Sequence, residues 1–270
     1  MPASDPNGTY TRYENAEPDE SMESQTLLAH LNELRKMLMI IAAAVGAAFV
    51  LLLFCFGERL LDLVIAPIRE MGIQVVFTDM AEAFAAQAKL SLLAAVILVS
   101  PVIFFAVWWF VRPALSKKER RQALIYLGIA VLLFVTGVLF AYRFVFFLAV
   151  NFFVSAGSGV AMPMMTIGKY ISFLFGFLVP FGVMFELPVV VVWLTKLGFI
   201  DADTLRKGRR FFILGIFVAA AILTPPDVVS QIMLAVPLLG LFEVSVICAK
   251  VVERRSLSDK APLEKVSAVK

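Results

Sequence analysis

Glu186 is the residue of this sequence whose position most suggests chemistry. It lies in residues 172–192, a stretch that is apolar enough to span a bilayer. An acidic side chain near the centre of such a helix costs roughly 2.5 to 3.5 kcal/mol, so it normally faces a polar partner or a cavity. Pro180 and Pro188 lie in the same stretch, where each removes a backbone donor and bends a helix. We interpret Glu186 as lining a substrate-binding or partner-binding surface; the alternative is a buried structural hydrogen-bonding residue.

Two further carboxylates, Glu33 and Glu119, lie beside predicted spans and among basic residues. Taken singly, each is most simply a surface charge that its basic neighbours neutralise. Taken together they indicate a second kind of site, because one carboxylate binds one guanidinium group through two hydrogen bonds. Two carboxylates side by side would select a partner that carries two adjacent arginines.

Other chemistry is not predicted. The sequence contains no phosphate-binding glycine loop, no nucleophile elbow and no zinc-binding His-Glu pair. Asp79 and Asp227 fall in predicted loops, which excludes an intramembrane aspartate pair. Cys55 and Cys248 lie in apolar runs without metal-ligand spacing, and His30, the single histidine, is expected at the membrane interface. We therefore expect no enzyme activity, no metal site, no cofactor and no disulfide.

The composition is that of a polytopic membrane protein. The 270 residues are 61% hydrophobic and 12% aromatic, with a mean hydropathy of +0.90, which is more apolar than a soluble domain can be. The net charge of +3 is small, and the basic residues are concentrated in short loops. This distribution indicates membrane topology and argues against nucleic-acid binding.

The apolar pattern predicts six membrane-spanning helices, preceded by an amphipathic helix from residue 27. The predicted spans are residues 37–56, 90–111, 122–142, 170–195, 211–223 and 228–242. The last two reach only about 20 and 22 Å, against a hydrocarbon core of roughly 30 Å. Between the first two spans we expect an extramembrane cap in which Pro67 breaks a short amphipathic helix. Residues 151–168 are expected to form a loop, and the apolar run after Arg143 is a candidate extension of the third helix.

Basic residues predict the orientation of the chain. Of the 24 lysines and arginines, 19 lie in residues 1–36, 112–121, 196–210 and 250–270. Because short cytoplasmic loops carry an excess of basic residues, both termini are predicted to be cytoplasmic. Residues 1–24 and 251–270 are predicted to be disordered tails, flanking a six-span membrane domain of residues 25–250.

Five segments carry a resemblance to a known family. They are HLNELRK at residues 30–36, VWWFVRPALSKKERR at 107–121, FGVMFELPVVV at 181–191, LRKGRR at 205–210 and LTPPDVVSQIMLAVPLLGLFE at 223–243. In these motifs and in their order the sequence resembles the TatC family, the core subunit of the twin-arginine protein translocase. The similarity extends over nearly the whole chain from His30 to Glu243, and the last motif is long and specific.

The resemblance implies an all-α integral membrane protein with six transmembrane helices in a concave arrangement, short fifth and sixth spans and cytoplasmic termini. It implies a Sec-independent protein translocase subunit of the bacterial cytoplasmic (inner) membrane. Such a subunit recognises twin-arginine signal peptides of folded precursors and exports these precursors using the proton motive force. The implied partners are TatA- and TatB-type single-span subunits, other copies of this chain in a receptor complex, and the lipid bilayer.

The resemblance also implies roles for individual residues. The implied signal-peptide site comprises Glu33, Glu119, Arg35, Phe110, Arg120 and Arg121. Glu186 is similar to the family's intramembrane glutamate. Thr224 and Gln231 are similar to a polar patch where a partner helix docks, and Pro67 is similar to a proline of the first outer loop. Met37 departs from the family, many members of which have a basic residue there.

Two other functions are compatible with the same residues. A proton-coupled small-solute transporter would use Glu186 as its proton site, but such folds usually contain internal repeats, and the fourth span has no convincing repeat in the first three. An assembly scaffold without a substrate would tolerate removal of the charges at Glu33 and Glu119. A signal-peptide receptor would discriminate between Arg-Arg and Lys-Lys signal peptides, whereas the transporter and the scaffold would not.

Overall fold

The computed structural model describes the backbone of residues 20–157, 164–224 and 227–267. Within these ranges, side chains are described from His30 to Arg254, except those of Ala114, Lys117 and Lys118. In chain order, the elements are α1 (Glu20–Glu70), β1 (Gln74–Val76), α2 (Met80–Val111), α3 (Lys117–Phe140), α4 (Phe147–Gly157), β2 (Met164–Thr166), α5 (Ile167–Phe185), α6 (Leu187–Lys196), α7 (Ala202–Leu223) and α8 (Val228–Ser267).

Among the described residues, five helical stretches are long and apolar enough to cross a membrane. They are His30–Glu70, Met80–Val111, Glu119–Gly157, Ile167–Lys196 and Val228–Arg254. The predicted fifth span corresponds to α7, which packs against α8. Its first turns carry the charged sequence ADTLRKGRR, so its apolar part is the short segment 211–223 that the sequence predicted.

The first two spans differ from the prediction. α1 is one helix of 51 residues, and Pro67 lies in its last turns, so the expectation that Pro67 breaks a separate cap helix is wrong. A proline so close to a helix end removes one hydrogen bond without interrupting a long ladder. α2 begins at Met80, well before residue 90, because Asp79 caps it: the Asp79 carboxylate accepts from Ala81 N–H at 3.2 Å.

The third helix extends through Arg143, as the apolar run suggested. A π-helical turn at Ala141–Phe146 joins α3 to α4, which continues to Gly157. The expectation of a loop is therefore wrong for residues 151–157, where the apolar sequence NFFVSAG continues the helix. After residues 158–163, which lie outside the described residues, β2 pairs in parallel with β1, with Val75 opposite Met165.

The predicted fourth span is divided into α5 and α6 at Glu186. The break follows from the sequence, because Pro188 in the first turn of α6 has no N–H to donate to the preceding turn. The Glu186 N–H donates instead to the carbonyl of Val183, three residues back, at 3.1 Å. A local sequence signal thus places the carboxylate at a helix junction.

Helix extends into both predicted tails: α1 begins at Glu20, and α8 continues through most of residues 251–270 to end at Ser267. Residues 1–19 and 268–270 lie outside the described residues. The division into two tails and a membrane domain of residues 25–250 stays a prediction.

An aromatic core around α5 fixes the helices that carry the candidate sites. The buried ring of Phe146 lies 5.6 Å from that of Tyr170 and 6.3 Å from that of Phe177. The Tyr170 hydroxyl donates to the carbonyl of Val64 at 2.8 Å, which ties α5 to α1. α5 also packs against α2, α3, α7 and α8. Since these contacts hold α5 in place, they also fix the position of Glu186 at its C-terminal end.

Candidate functional site

Glu33 is connected to the end of α2 through His30. The Glu33 carboxylate oxygen Oε2 lies 3.5 Å from Nδ1 of His30, and both side chains are about half exposed. The imidazole ring of His30 stacks on Phe110 with a centroid distance of 4.4 Å and an interplanar angle of 23°. His30, which the sequence alone places only at the membrane interface, thereby brings together two of the predicted signal-peptide residues, Glu33 and Phe110.

Glu119 is held by the first turn of its own helix. The Ser116 N–H donates to Oε2 of Glu119 at 2.8 Å, and the Glu119 N–H donates to the Ser116 hydroxyl at 3.4 Å. This is a capping box, the motif that Ser-x-x-Glu predicts at a helix start. Among the described side chains, none forms an ion pair with Glu119. Its charge therefore faces solvent from a fixed position.

The neighbouring basic residues differ in their contacts and exposure. Arg120 donates from Nε to the carbonyl of Leu115 at 3.1 Å, so it is bound to the turn and does not neutralise Glu119. Arg121 and Arg35 are exposed, and Arg35 lines a shallow apolar groove on α1 together with Leu31 and Leu38. Because α2 ends and α3 begins beside Phe110, both carboxylates lie at the same end of the helix bundle.

Glu186 lines a cavity of about 170 Å³ between α2, α3 and α6. The lining is otherwise almost entirely apolar, and Val107, Ala130 and Val190 are typical of it. Oxygen Oε1 of Glu186 is buried and has no hydrogen-bond partner among the described residues, and the same is true of the indole nitrogen Nε1 of Trp108, which lines the same cavity. Leaving such a group unpaired costs about 1 to 3 kcal/mol.

The two unpaired atoms are chemically complementary to a single bound group. The Trp108 N–H can only donate, whereas a carboxylate oxygen of Glu186 accepts. A side chain that both accepts and donates would therefore satisfy the two together. The sequence alone marks Trp108 only as an aromatic residue near a membrane interface, so its place beside Glu186 was not predicted.

Thr224 and Gln231 lie where α7 meets α8. The buried Thr224 hydroxyl donates to the carbonyl of Ala220 at 2.8 Å, and the Gln231 amide donates to the carbonyl of Phe217 at 3.1 Å. Both side chains therefore satisfy carbonyls at the C-terminal end of α7. A β-carbon at Gly176 would collide with the carbonyl of Leu223, so α5 approaches this end of α7 more closely than any larger residue would allow.

Pro67 lies apart from these sites. It borders a groove of about 460 Å³ with Glu70, Tyr142 and Arg143 at the other end of the bundle from Glu119.

Comparison with known proteins assigns the family. The family model for the Sec-independent protein translocase protein (TatC) matches residues 29–237. The chain belongs to the TatC family. It is 40% identical over 236 residues to the Sec-independent protein translocase protein TatC of Carboxydothermus hydrogenoformans, covering 86% of this chain and 96% of that one. It is 39% identical over 227 residues to the TatC of Escherichia coli, covering 83% and 88% of the two chains.

A solved structure of the family has the same fold. The crystal structure of the twin-arginine translocase receptor TatC superposes with a TM-score of 0.77 at 35% sequence identity, covering 83% of this chain and 99% of that one. The predicted resemblance to TatC and the predicted all-α membrane fold of six spans are both confirmed. The roles of the individual site residues stay predictions for this TatC-family chain.

Proposed function

We propose that this TatC-family protein is the subunit of a Sec-independent translocase that recognises twin-arginine signal peptides of folded precursors. Its family and its apolar helices make it a membrane-embedded translocase component. In the proposed arrangement it lies in the bacterial cytoplasmic (inner) membrane with both termini in the cytoplasm. It works with TatA- and TatB-type subunits and other copies of itself, and it uses the proton motive force rather than an enzymatic reaction of its own.

The observation that carries this proposal is the carboxylate of Glu119, which the capping box holds in place without an ion-pair partner among the described side chains, at the same end of the bundle as Glu33. The capping box orients Glu119 before any ligand binds, so little side-chain freedom is lost when a guanidinium group pairs with it. Glu33 lies next to the aromatic surface formed by His30 and Phe110. Arginine stacks on aromatic rings as well as pairing with carboxylates, whereas lysine is a compact point charge. This combination favours Arg-Arg over Lys-Lys.

The Glu186 cavity supplies the second part of the proposed function. A partner transmembrane helix that carries its own polar residue would satisfy Oε1 of Glu186 and Nε1 of Trp108, neither of which has a hydrogen-bond partner among the described residues. The short apolar segment of α7, which ends at Thr224, would favour local thinning of the bilayer near Thr224 and Gln231. A partner helix that contacts both regions would therefore combine a polar contact with a disturbed membrane.

Signal-peptide binding tests the proposal directly. We expect purified protein to bind a synthetic Arg-Arg signal peptide about tenfold more tightly than its Lys-Lys counterpart, which corresponds to about 1.4 kcal/mol. Glu33→Gln and Glu119→Gln should each weaken Arg-Arg binding, since Gln keeps the shape but removes the charge. Glu70→Gln, an exposed acid at the far end of α1, is the matched control. Wild-type affinity in both site variants would reject the assignment of the acidic pair.

The same experiment separates the two other functions. A small-solute transporter and an assembly scaffold both predict equal affinity for the two peptides. The transporter is also disfavoured by the cavity itself, because its lining offers a solute few polar groups other than Glu186 and Trp108.

A further inference from the structure

A second cavity, of about 480 Å³, lies at the opposite end of the bundle from Glu119, between α2 and the segment that joins β2 to α5. We name it the Lys89–Lys169 pocket. Its lining includes Glu82 and Lys89 of α2, Thr166 of β2, and Gly168, Lys169 and Ser172 of α5. None of these residues takes part in the function proposed above.

The two lysines bring positive charge to this pocket. Both side chains are exposed, and among the described residues neither lies within ion-pair distance of a carboxylate. The ammonium group of Lys89 donates to the Ser172 hydroxyl at 3.1 Å, which holds it across the gap between α2 and α5. By contrast, Arg69, at the same end of the molecule, is paired with Asp62 at 3.4 Å.

Glu82 is the one acidic residue in the lining, and its oxygens are already occupied. Oε1 accepts from the Gly168 N–H at 2.9 Å, while Oε2 accepts from the Thr78 N–H at 2.9 Å and from the Thr78 hydroxyl at 2.8 Å. Glu82 therefore fastens the start of α5 to α2 and does not form an ion pair with either lysine. Two lysines and one glutamate leave the pocket with a formal charge of +1.

The pocket lies in a part of the chain where basic residues are rare. Only five basic residues lie outside the four basic segments, namely Arg59, Arg69, Lys89, Arg143 and Lys169. Positive charge is disfavoured on the outer side of a membrane protein, yet two of these five line one cavity. Such convergence indicates an anionic ligand.

The depth of the pocket indicates which kind of anion. Lys89 and Lys169 immediately precede the apolar residues with which predicted spans begin, which is the level of lipid headgroups. Exposed apolar side chains of α2, among them Phe84 and Leu92, lie on either side along the chain. A ligand with a phosphate at the pocket and hydrocarbon chains along the helix would match both surfaces.

We propose that the Lys89–Lys169 pocket binds the phosphate group of an anionic phospholipid with one negative charge, such as phosphatidylglycerol, in the outer leaflet. The two ammonium groups and the Ser172 hydroxyl are the donors. One bound lipid would hold α2 and α5 together at this end of the bundle, next to the contact that Glu82 already makes. The pocket stands on its own geometry, whereas the name of the leaflet and the contrast with the usual lack of positive charge on the outer side rest on the orientation proposed above.

Lipid binding to the purified full-length chain tests this site. Delipidated protein is titrated with phosphatidylglycerol, with phosphatidylcholine of the same chain length, and with inorganic phosphate, and adducts are counted by native mass spectrometry. We expect phosphatidylglycerol to bind in preference to the other two. Since a basic residue near a membrane surface contributes about fivefold in affinity, Lys89→Gln with Lys169→Gln should lower phosphatidylglycerol affinity roughly thirtyfold.

Two further variants make the result specific. Arg59→Gln removes one positive charge from the same end of the molecule without touching the pocket, and it should leave the affinity unchanged. Lys89→Arg with Lys169→Arg keeps both charges and should retain most of the binding, so the proposal stays testable if the double glutamine variant does not fold. Equal phosphatidylglycerol affinity in the double glutamine variant and in Arg59→Gln would overturn the site. Equal binding of phosphatidylcholine, or competition by inorganic phosphate at the same concentration, would overturn the assignment to an anionic lipid.

Discussion

Glu119 and Glu186 are two carboxylates that the same fold treats in opposite ways. Glu119 lies at a polar helix start, where the Ser116 N–H bonds one of its oxygens and solvent reaches the rest. Glu186 lies at a helix junction among apolar side chains, and its buried oxygen Oε1 has no hydrogen-bond partner in the part of the chain that the structure describes. The Glu119 carboxylate has a hydrogen bond within the protein and is already oriented for a ligand. The buried oxygen of Glu186 lacks such a bond among the described residues, so a partner that supplies one would stabilise it.

Replacement of Glu186 by alanine should have the largest effect and should separate function from stability. We expect crosslinking of TatA- or TatB-type partners to fall about tenfold, because a buried hydrogen bond to the partner is lost, and export should fall with it. Thermal stability should change little, since the buried oxygen Oε1 of Glu186 has no hydrogen-bond partner among the described residues. Crosslinking yield, export rate and Tm measured on the same variant check this.

Glu70→Gln is the control for this variant, because it changes an exposed acid far from the cavity. It should leave crosslinking, export and Tm unchanged. If Glu186→Ala left both crosslinking and export at the wild-type level, the docking role of the cavity would be wrong, and Glu186 would be a structural residue.

Trp108→Phe tests whether the cavity presents two polar groups to its partner rather than one. The change removes the unpaired indole N–H, and we expect partner crosslinking to fall about threefold, the value of a modest neutral hydrogen bond. Trp193→Phe, which alters another tryptophan of the same lining, is the control for lost volume. In a double-mutant cycle with Glu186→Ala, the two losses should be less than additive if one partner group binds both atoms. Fully additive losses would mean that they bind separate groups.

The sequence predicts the local surroundings of Glu186 and Glu119, but not their contacts with distant parts of the chain. Glu186 was found from a single charge in an apolar stretch, and its helix break follows from Pro188. The capping box at Glu119 is also a local pattern. Trp108 could not be assigned in this way, because its place in the cavity depends on how α2 packs against α6, and nothing local in the sequence encodes that contact.

The same distinction holds for the rest of the fold. The six apolar segments and the short apolar part of α7 were predictable, because hydropathy is a local property. The predicted length of the sixth span was wrong: it extends over Val228–Arg254 and not only over residues 228–242, because Glu243 pairs with Arg209 and does not end the helix. The pairing of β1 with β2 was not, since it joins Val75 to Met165 across two helical spans. The length of α1 was missed for another reason: Pro67 was expected to end a helix, but it lies where the helix is about to end anyway.

His30 provides a test of the polar site at Glu33, with a smaller expected effect. His30→Ala removes the ring that stacks on Phe110, and we expect Arg-Arg peptide binding to weaken about threefold, within the range of a single aromatic contact. His30→Phe keeps a stacked ring and should retain near wild-type binding. Asn32→Ala, a change at an exposed position two residues along the same helix, is the control. If His30→Phe were as weak as His30→Ala, the contact of His30 with Glu33 would matter more than the stacking.

Asp201 extends the comparison to a carboxylate that caps a helix but belongs to neither site. Its side chain caps α7 by accepting from the Thr204 N–H at 3.2 Å. Hydrogen bonds from the Thr204 hydroxyl, and then from its backbone N–H, lower the pKa of Asp201 below its ordinary value of 3.8. A lowered pKa means that the folded protein favours the charged form, so this contribution to stability is complete above pH 3.8 and is lost as the pH falls towards the folded pKa.

Asp201→Asn should therefore have the smallest effect of this series. Asparagine is also a good helix cap, so near neutral pH we expect the Tm to change by no more than about 2 °C. Below about pH 4 the wild type should lose stability more steeply than the variant, because only the wild type must protonate this carboxylate. Peptide binding and partner crosslinking should be unchanged at neutral pH. A fall in the affinity of Asp201→Asn for the Arg-Arg peptide would mean that loss of a capping charge affects peptide binding from a distance. The effect of Glu119→Gln could then no longer be attributed to direct contact with the peptide.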